Sequence, residues 1–102
     1  MPRVTYKVVI SGLVQGVSFR ASMRDVALRH GVRGWVRNRE DGAVEAIVQG
    51  DEAQVAKILE WASVGPPGAE VTSLDRNVLE EFPPQKGFRV LVEDWRTGAA
   101  NR

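Results

Sequence analysis

The stretch VRGWVRNREDGAVEAIVQ, residues 32–49, decides the fold. It holds two runs of period two around a tight turn. Val32, Gly34, Val36 and Asn38 share one face of the first run, and Arg33, Trp35, Arg37 and Arg39 share the other. Successive side chains of a strand point to opposite sides, so residues 32–39 read as a strand with one apolar row. Residues 43–49 read as a second strand. Asp41-Gly42 between them is a strong hairpin signal, because both residue types tolerate the positive φ that two-residue turns demand.

Helical patterns flank the hairpin on both sides. Before it, Met23, Val26, Ala27 and His30 recur at helical spacing within residues 22–30. Ser22 with Asp25 resembles a capping box at the start, and Gly31 supplies a stop. After it, Asp51 with Gln54 opens a second helix carrying Val55, Ile58, Leu59 and Ala62 on one face. The GPPG run at residues 65–68 ends that helix. Residues 4–11 alternate, with Val4, Tyr6, Val8 and Ile10 set against Thr5, Lys7 and Ser11. A strand of weaker pattern spans residues 70–79, and after FPPQKG a final strand covers residues 88–93. The order of the main elements is β-α-β-β-α-β. Two amphipathic helices on one face of an antiparallel sheet give an α+β, ferredoxin-like sandwich. One domain is expected over residues 1–93. Residues 94–102 have no period and are expected to be a flexible tail.

Bulk composition narrows the function. The chain has 102 residues, room for one modest core. Its net charge is +1, from 14 Lys+Arg against 13 Asp+Glu, which gives no sign of a nucleic-acid partner. With no cysteine there is no disulfide, thiolate nucleophile or thiolate metal site, and a reducing, cytoplasmic setting is favoured. A single histidine, His30, cannot build a His-rich metal centre. No run is apolar enough for a membrane span, and Lys7, Ser11 and Gln15 interrupt any leader-like core. The expectation is a monomer with no metal and no cofactor, acting on a small molecule.

The chemistry is carried by SGLVQGVSFRASM, residues 11–23. The loop joins a strand end to a helix start. Backbone N–H groups there are unpaired, and the helix dipole favours an anion. Glycines let the backbone turn and approach closely. Arg20 adds a planar two-pronged donor for phosphate or carboxylate. A cation at a helix N-terminus is unfavourable by itself, so its placement asks for a compensating anion. The loop lacks the Gly-Lys-Ser/Thr ending of a Walker loop. Where a phosphatase with a cysteine nucleophile would carry it, this chain has Val14, so no side chain at that position can attack a bound phosphoryl group. As a short glycine motif the loop is also readable as a plain turn with a solvated arginine.

Asn38 is the second polar outlier. It ends an apolar row on the side where the helices belong, and a polar amide there needs a partner. It either satisfies the Asp41-Gly42 hairpin or orients a water. Arg37 and Arg39 read as a solvated face with a stack on Trp35.

At this point the chain resembles a known family. GLVQGVSFR, residues 12–20, is similar to the signature loop of the acylphosphatases, and GWVRNREDGAVEAIVQG, residues 34–50, to their second signature. The KGF before the last strand also fits, and the resemblance runs over about residues 4–93. The tail departs from the pattern. The resemblance implies hydrolysis of the carboxyl–phosphate bond of acyl phosphates to a carboxylate and inorganic phosphate without a metal. By the same resemblance, Arg20 and the backbone N–H groups of Gln15, Gly16, Val17, Ser18 and Phe19 would hold the phosphate. Asn38 would position the attacking water.

Two other classes compete. An RNA-binding module of the same element order would want aromatic residues on its inner strands. KGFRVLVE lies on the last strand and departs from that pattern after its first residues, and AVEAIVQ has no aromatic. A regulatory anion-binding domain would keep the loop without chemistry, yet the pairing of Arg20 with Asn38 favours turnover. The remaining outliers read as structural. His30 suits a helix C-terminus, Met23, Tyr6 and Trp61 pack into the core or its edge, and Trp95 folds back as a cap.

Overall fold

The chain runs β1 (Arg3–Leu13), α1 (Phe19–Arg29), β2 (Arg33–Asn38), β3 (Val44–Asp51), α2 (Glu52–Ala62), β4 (Glu70–Val78) and β5 (Phe88–Leu91) in the computed structural model. The structure describes residues 2–92. The expected tail at residues 94–102, Glu93 of the last strand and the Trp95 cap lie outside the described residues.

The hairpin of β2 and β3 has the expected register, with Val36 across from Ala46 and Asn38 across from Val44. β3 is central, flanked by β1 and β2, and buried on both faces until Asp51. The sheet order is β4-β1-β3-β2-β5. Three pairings are antiparallel, while β2 and β5 run parallel, so the five-stranded sheet is mixed. The reason is topological. β4 and β5 occupy opposite edges, so residues 79–87 must cross the sheet. They do so on the face away from the helices. Leu79 N donates to Thr5 O (2.8 Å), Gln85 N to the Gln49 side chain (2.7 Å), and Gly34 N to Gly87 O (2.9 Å).

Both helices lie on the other face. α1 buries Phe19, Met23, Val26 and Ala27, and α2 buries Val55, Ile58, Leu59 and Ala62. They cover Val8, Ile10, Val36, Val44, Ala46 and Val48 from the sheet. His30 and Gln54 tie the helices together, with His30 Nδ1 lying 3.0 Å from Gln54 Oε1. α2 starts as expected after Asp51, but the Asp51 carboxylate makes no cap bond.

The start of α1 differs from the sequence reading. Ser22 and Asp25 form no capping box. Ser22 is already inside the helix, its N–H donating to Ser18 O at 3.0 Å. The cap is Ser18, in left-handed conformation (φ 61°) and without a side-chain cap bond. Core burial decides the boundary. Phe19 is 2% exposed and packs on Trp61 with ring centroids 5.2 Å apart, a pairing worth about 0.5–1.5 kcal/mol beyond the area buried. Including Phe19 in the core pulls the helix start forward.

Two glycines are dictated by close approach. At Gly34 (φ 143°) a Cβ would lie 1.8 Å from Ile47 O, so only glycine lets β2 sit against β3 there. At Gly12 (φ 125°) a Cβ would lie 2.0 Å from Glu70 O. The register of β1 and β4 shifts between Ser11 and Gly12, and the bulge marks where β1 turns into the loop.

The outer face is not simply solvated. Glu45 is 5% exposed and accepts from Arg37 Nε at 2.7 Å, with Lys7 Nζ at 3.3 Å. Burial pushes the Glu45 carboxyl up, and the hydrogen bonds and charges of Arg37 and Lys7 outweigh it, leaving the group below its ordinary range. The Arg37 guanidinium lies 6.0 Å from the Trp35 ring, so the expected stack is present alongside the ion pair.

Candidate active site

The loop between β1 and α1 is built to expose backbone N–H groups. Gly16 (φ 77°) and Ser18 (φ 61°) take left-handed backbone on either side of Val17. Such alternation curls consecutive amides into a concave anion nest. Among the described residues, no carbonyl or side chain accepts from the N–H groups of residues 15–21. The first turn of α1 contains no acidic residue. The positive end of the helix therefore faces the loop with no internal anion to offset it.

Val14 and Phe19 fix the loop from below. Val14 is 1% exposed, so the position a covalent nucleophile would need is occupied by a core side chain. Arg20 follows in the first turn of α1. Its Nη1 donates to Leu91 O, at the end of β5, at 3.3 Å. That contact uses one donor of five and steadies the guanidinium.

Asn38 ends β2 on the same face as Val36. β1, β2 and β5 all run in one direction, so the loop, Asn38 and Leu91 arrive at one end of the sheet. A cleft of about 410 Å³ there is lined by Val14, Gly16, Ser18, Phe19, Arg20, Ala21, Asn38 and Val90. Arg20 and Asn38 thus share a cavity, as do three of the other expected loop residues. Gln15 and Val17 do not line it. Val17 packs against the core.

The hairpin does not need Asn38. Arg39 N donates to Ala43 O (2.8 Å), Gly42 N to Arg39 O (3.2 Å), and Ala43 N to Asp41 Oδ1 (3.0 Å). The bond from Ala43 N holds the Asp41 carboxyl below its ordinary range; desolvation opposes it, and the charge and hydrogen bond of Arg39 add to the lowering. Asn38 makes no side-chain hydrogen bond to the described residues, which leaves its amide free for the cleft.

Two features had no signal in the spacing of residues. Gln15 Nε2 donates to Arg39 O (2.8 Å) and Ala43 O (3.0 Å), bonds that span 24 and 28 positions. The Leu91 carbonyl that holds Arg20 lies 71 positions away. A polar residue in a loop gives no hint of such partners. A broader basin of about 520 Å³ on the outer face is lined by Lys7, Arg37, Arg39, Glu40, Asp41 and Glu45. Its charges are of both signs, with Arg39 on Asp41 (2.9 Å) and Arg37 and Lys7 on Glu45, so it presents no comparable field for an anion. No group of three His, Cys, Asp or Glu among the described residues could hold a metal ion.

The family model described as Acylphosphatase matches residues 6–90. The chain belongs to the acylphosphatase family. The Acylphosphatase of Pyrobaculum islandicum is 50% identical over 92 residues, spanning 89% of this chain and 97% of that protein. Among solved structures, an acylphosphatase from Coxiella burnetii superposes with a TM-score of 0.82 at 34% identity, covering 86% of this chain and 92% of that one. The acylphosphatase from Bacillus subtilis gives 0.84 at 29% identity, covering 87% and 99%. The acylphosphatase match spans both signature stretches, residues 12–20 and 34–50, which converge on the cleft.

Proposed function

We propose that this acylphosphatase domain hydrolyses the carboxyl–phosphate bond of acyl phosphates by direct attack of water, without metal or cofactor. One observation carries the reading. Unpaired N–H groups and Arg20 stand across a single cleft from an Asn38 amide that no other described group uses. In this reading the phosphate sits on the N–H groups of residues 15–19 and on Arg20, and Asn38 orients the water.

The chemistry needs little else. Phosphoryl transfer passes through a loose transition state, so positioning and charge stabilisation do most of the catalysis. The leaving carboxylate has a conjugate-acid pKa of about 4 and departs without a general acid. Water forms the new P–O bond while the acyl P–O bond breaks, its electron pair leaving on the carboxylate. A neutral amide is a poor base, so the water's proton passes to a phosphate oxygen. Val14, where a covalent nucleophile would stand, offers none, which supports direct attack by water. The groups invoked come from one chain, which supports a monomer as the working unit. The absence of cysteine fits a cytoplasmic setting. No helix among the described residues is long and apolar enough to cross a membrane.

Release of inorganic phosphate from acetyl phosphate in chelator, carried out in heavy-oxygen water, tests the proposal. Turnover is expected to persist and to place the label in phosphate. Loss of activity in chelator would remove the metal-free claim, and label in acetate would remove attack at phosphorus.

A further inference from the structure

We propose that the Gln15 side chain is a positioning residue that sets the distance between the phosphate cradle and Asn38. The inference rests on the hydrolytic reading above. A loop whose amides must face a ligand cannot use those amides to hold itself in place. Here the N–H groups of residues 15–21 make no internal bond among the described residues, and two loop residues take left-handed backbone. Something else has to tether the loop.

Gln15 is placed to do so. Its amide nitrogen carries two hydrogens, and both are used, on Arg39 O at 2.8 Å and Ala43 O at 3.0 Å. Arg39 directly follows Asn38. Ala43 directly precedes Val44, the residue paired with Asn38 across the strands. The fork therefore grips both strands of the hairpin one step beyond Asn38. No other side-chain hydrogen bond joins residues 14–18 to that hairpin among the described residues. Arg20 anchors elsewhere, on β5. Gln15 is half-buried and does not line the cleft, so it acts on the reaction through the groups it spaces. In-line attack requires the water and the phosphorus to be aligned at close range, and a misplacement near 1 Å can cost on the order of 10²-fold in rate.

The test is Gln15→Met, which keeps the length of the side chain and removes the donors. With acetyl phosphate, kcat is expected to fall about 10- to 100-fold. The inhibition constant of inorganic phosphate is expected to stay within about threefold, since the backbone donors and Arg20 that bind it are retained. In an Asn38→Ala background the same substitution should cost no further rate, because the spacing it sets no longer matters. Gln15→Lys, with three donors on a flexible stem, should recover part of the lost kcat. Three results would each overturn the proposal: wild-type kcat in Gln15→Met, the same fold-loss in both backgrounds, or a rise in the phosphate inhibition constant that matches the loss in kcat. If Gln15→Met does not fold, a Gln15→Lys variant no more active than a folded Gln15→Ala variant overturns it as well. An impaired Asn38→Ala enzyme beside a fully active Gln15→Met one would remove only this inference. A fully active Asn38→Ala enzyme would remove the hydrolytic reading itself.

Discussion

Replacing Asn38 with alanine should separate activity from folding. The amide is half-buried and bonds to none of the described residues, while Arg39, Gly42, Ala43 and Asp41 hold the turn among themselves. Truncation therefore breaks no internal hydrogen bond and opens no closed cavity. A change of this kind falls within about 0.5 kcal/mol of wild-type stability. For a domain of this size that is a melting shift of roughly 2–4 °C. The rate should behave differently. If the amide orients the attacking water, its loss resembles removal of one transition-state hydrogen-bonding group, about 10²–10³ in kcat, or about 2.7–4 kcal/mol. The assay is initial-rate phosphate release from acetyl phosphate, with a thermal melt on the same preparation. A kcat within a fewfold of wild type would refute the role in the reaction. A melting loss well beyond the stated range with kcat per folded molecule unchanged would return Asn38 to the hairpin.

Three further outcomes follow from the same geometry. Arg20→Lys keeps the charge but not the planar fork, so kcat/KM should drop about 10²–10³-fold while circular dichroism stays native; inhibition by inorganic phosphate should weaken in parallel. Gly34→Ala forces a Cβ to within 1.8 Å of Ile47 O at a positive φ, and urea unfolding should show a loss of at least about 2 kcal/mol. Glu45 has a depressed pKa in the folded state, so its contribution is present above the ordinary glutamate range, about 4.3, and is lost as pH falls through the folded value. Acid unfolding curves of wild type and Glu45→Gln should therefore converge at low pH; curves that stay parallel throughout would refute the pairing as the source.

Local pattern reached far into this fold, and its limits were physical. The alternation of Val32, Gly34, Val36 and Asn38 and the Asp41-Gly42 turn are signals of one or two residues' range, and they placed the hairpin and the face of Asn38. The apolar stripes of α1 and α2 were legible for the same reason. The start of α1 was not, because Ser22 and Asp25 make a plausible local cap while the burial of Phe19 against Trp61 is a tertiary gain that outweighs it. Parallel pairing of β2 with β5 follows from where the chain crosses the sheet, which no window of sequence contains. Within the site, Arg20 and Asn38 stood out as polar groups out of pattern. Gln15 did not, since its importance lies in which carbonyls it meets, and Glu45 became a buried acid only because Lys7 and Arg37 meet over it.

The crossing of residues 79–87 also bears on how the domain comes into being. Gly34 pairs with Phe88 only after nearly the whole chain is available, and contacts between such distant positions pay their loop-closure entropy before returning any energy. Folding is expected to be slower than in a domain of the same size built from local contacts. The carbonyl of Leu91 that steadies Arg20 belongs to this last strand. Without β5 there is no carbonyl at that place to steady the Arg20 guanidinium. In the proposed reading, where Arg20 holds the phosphate, the strand most distant in sequence from the glycine loop is thus the one that completes it.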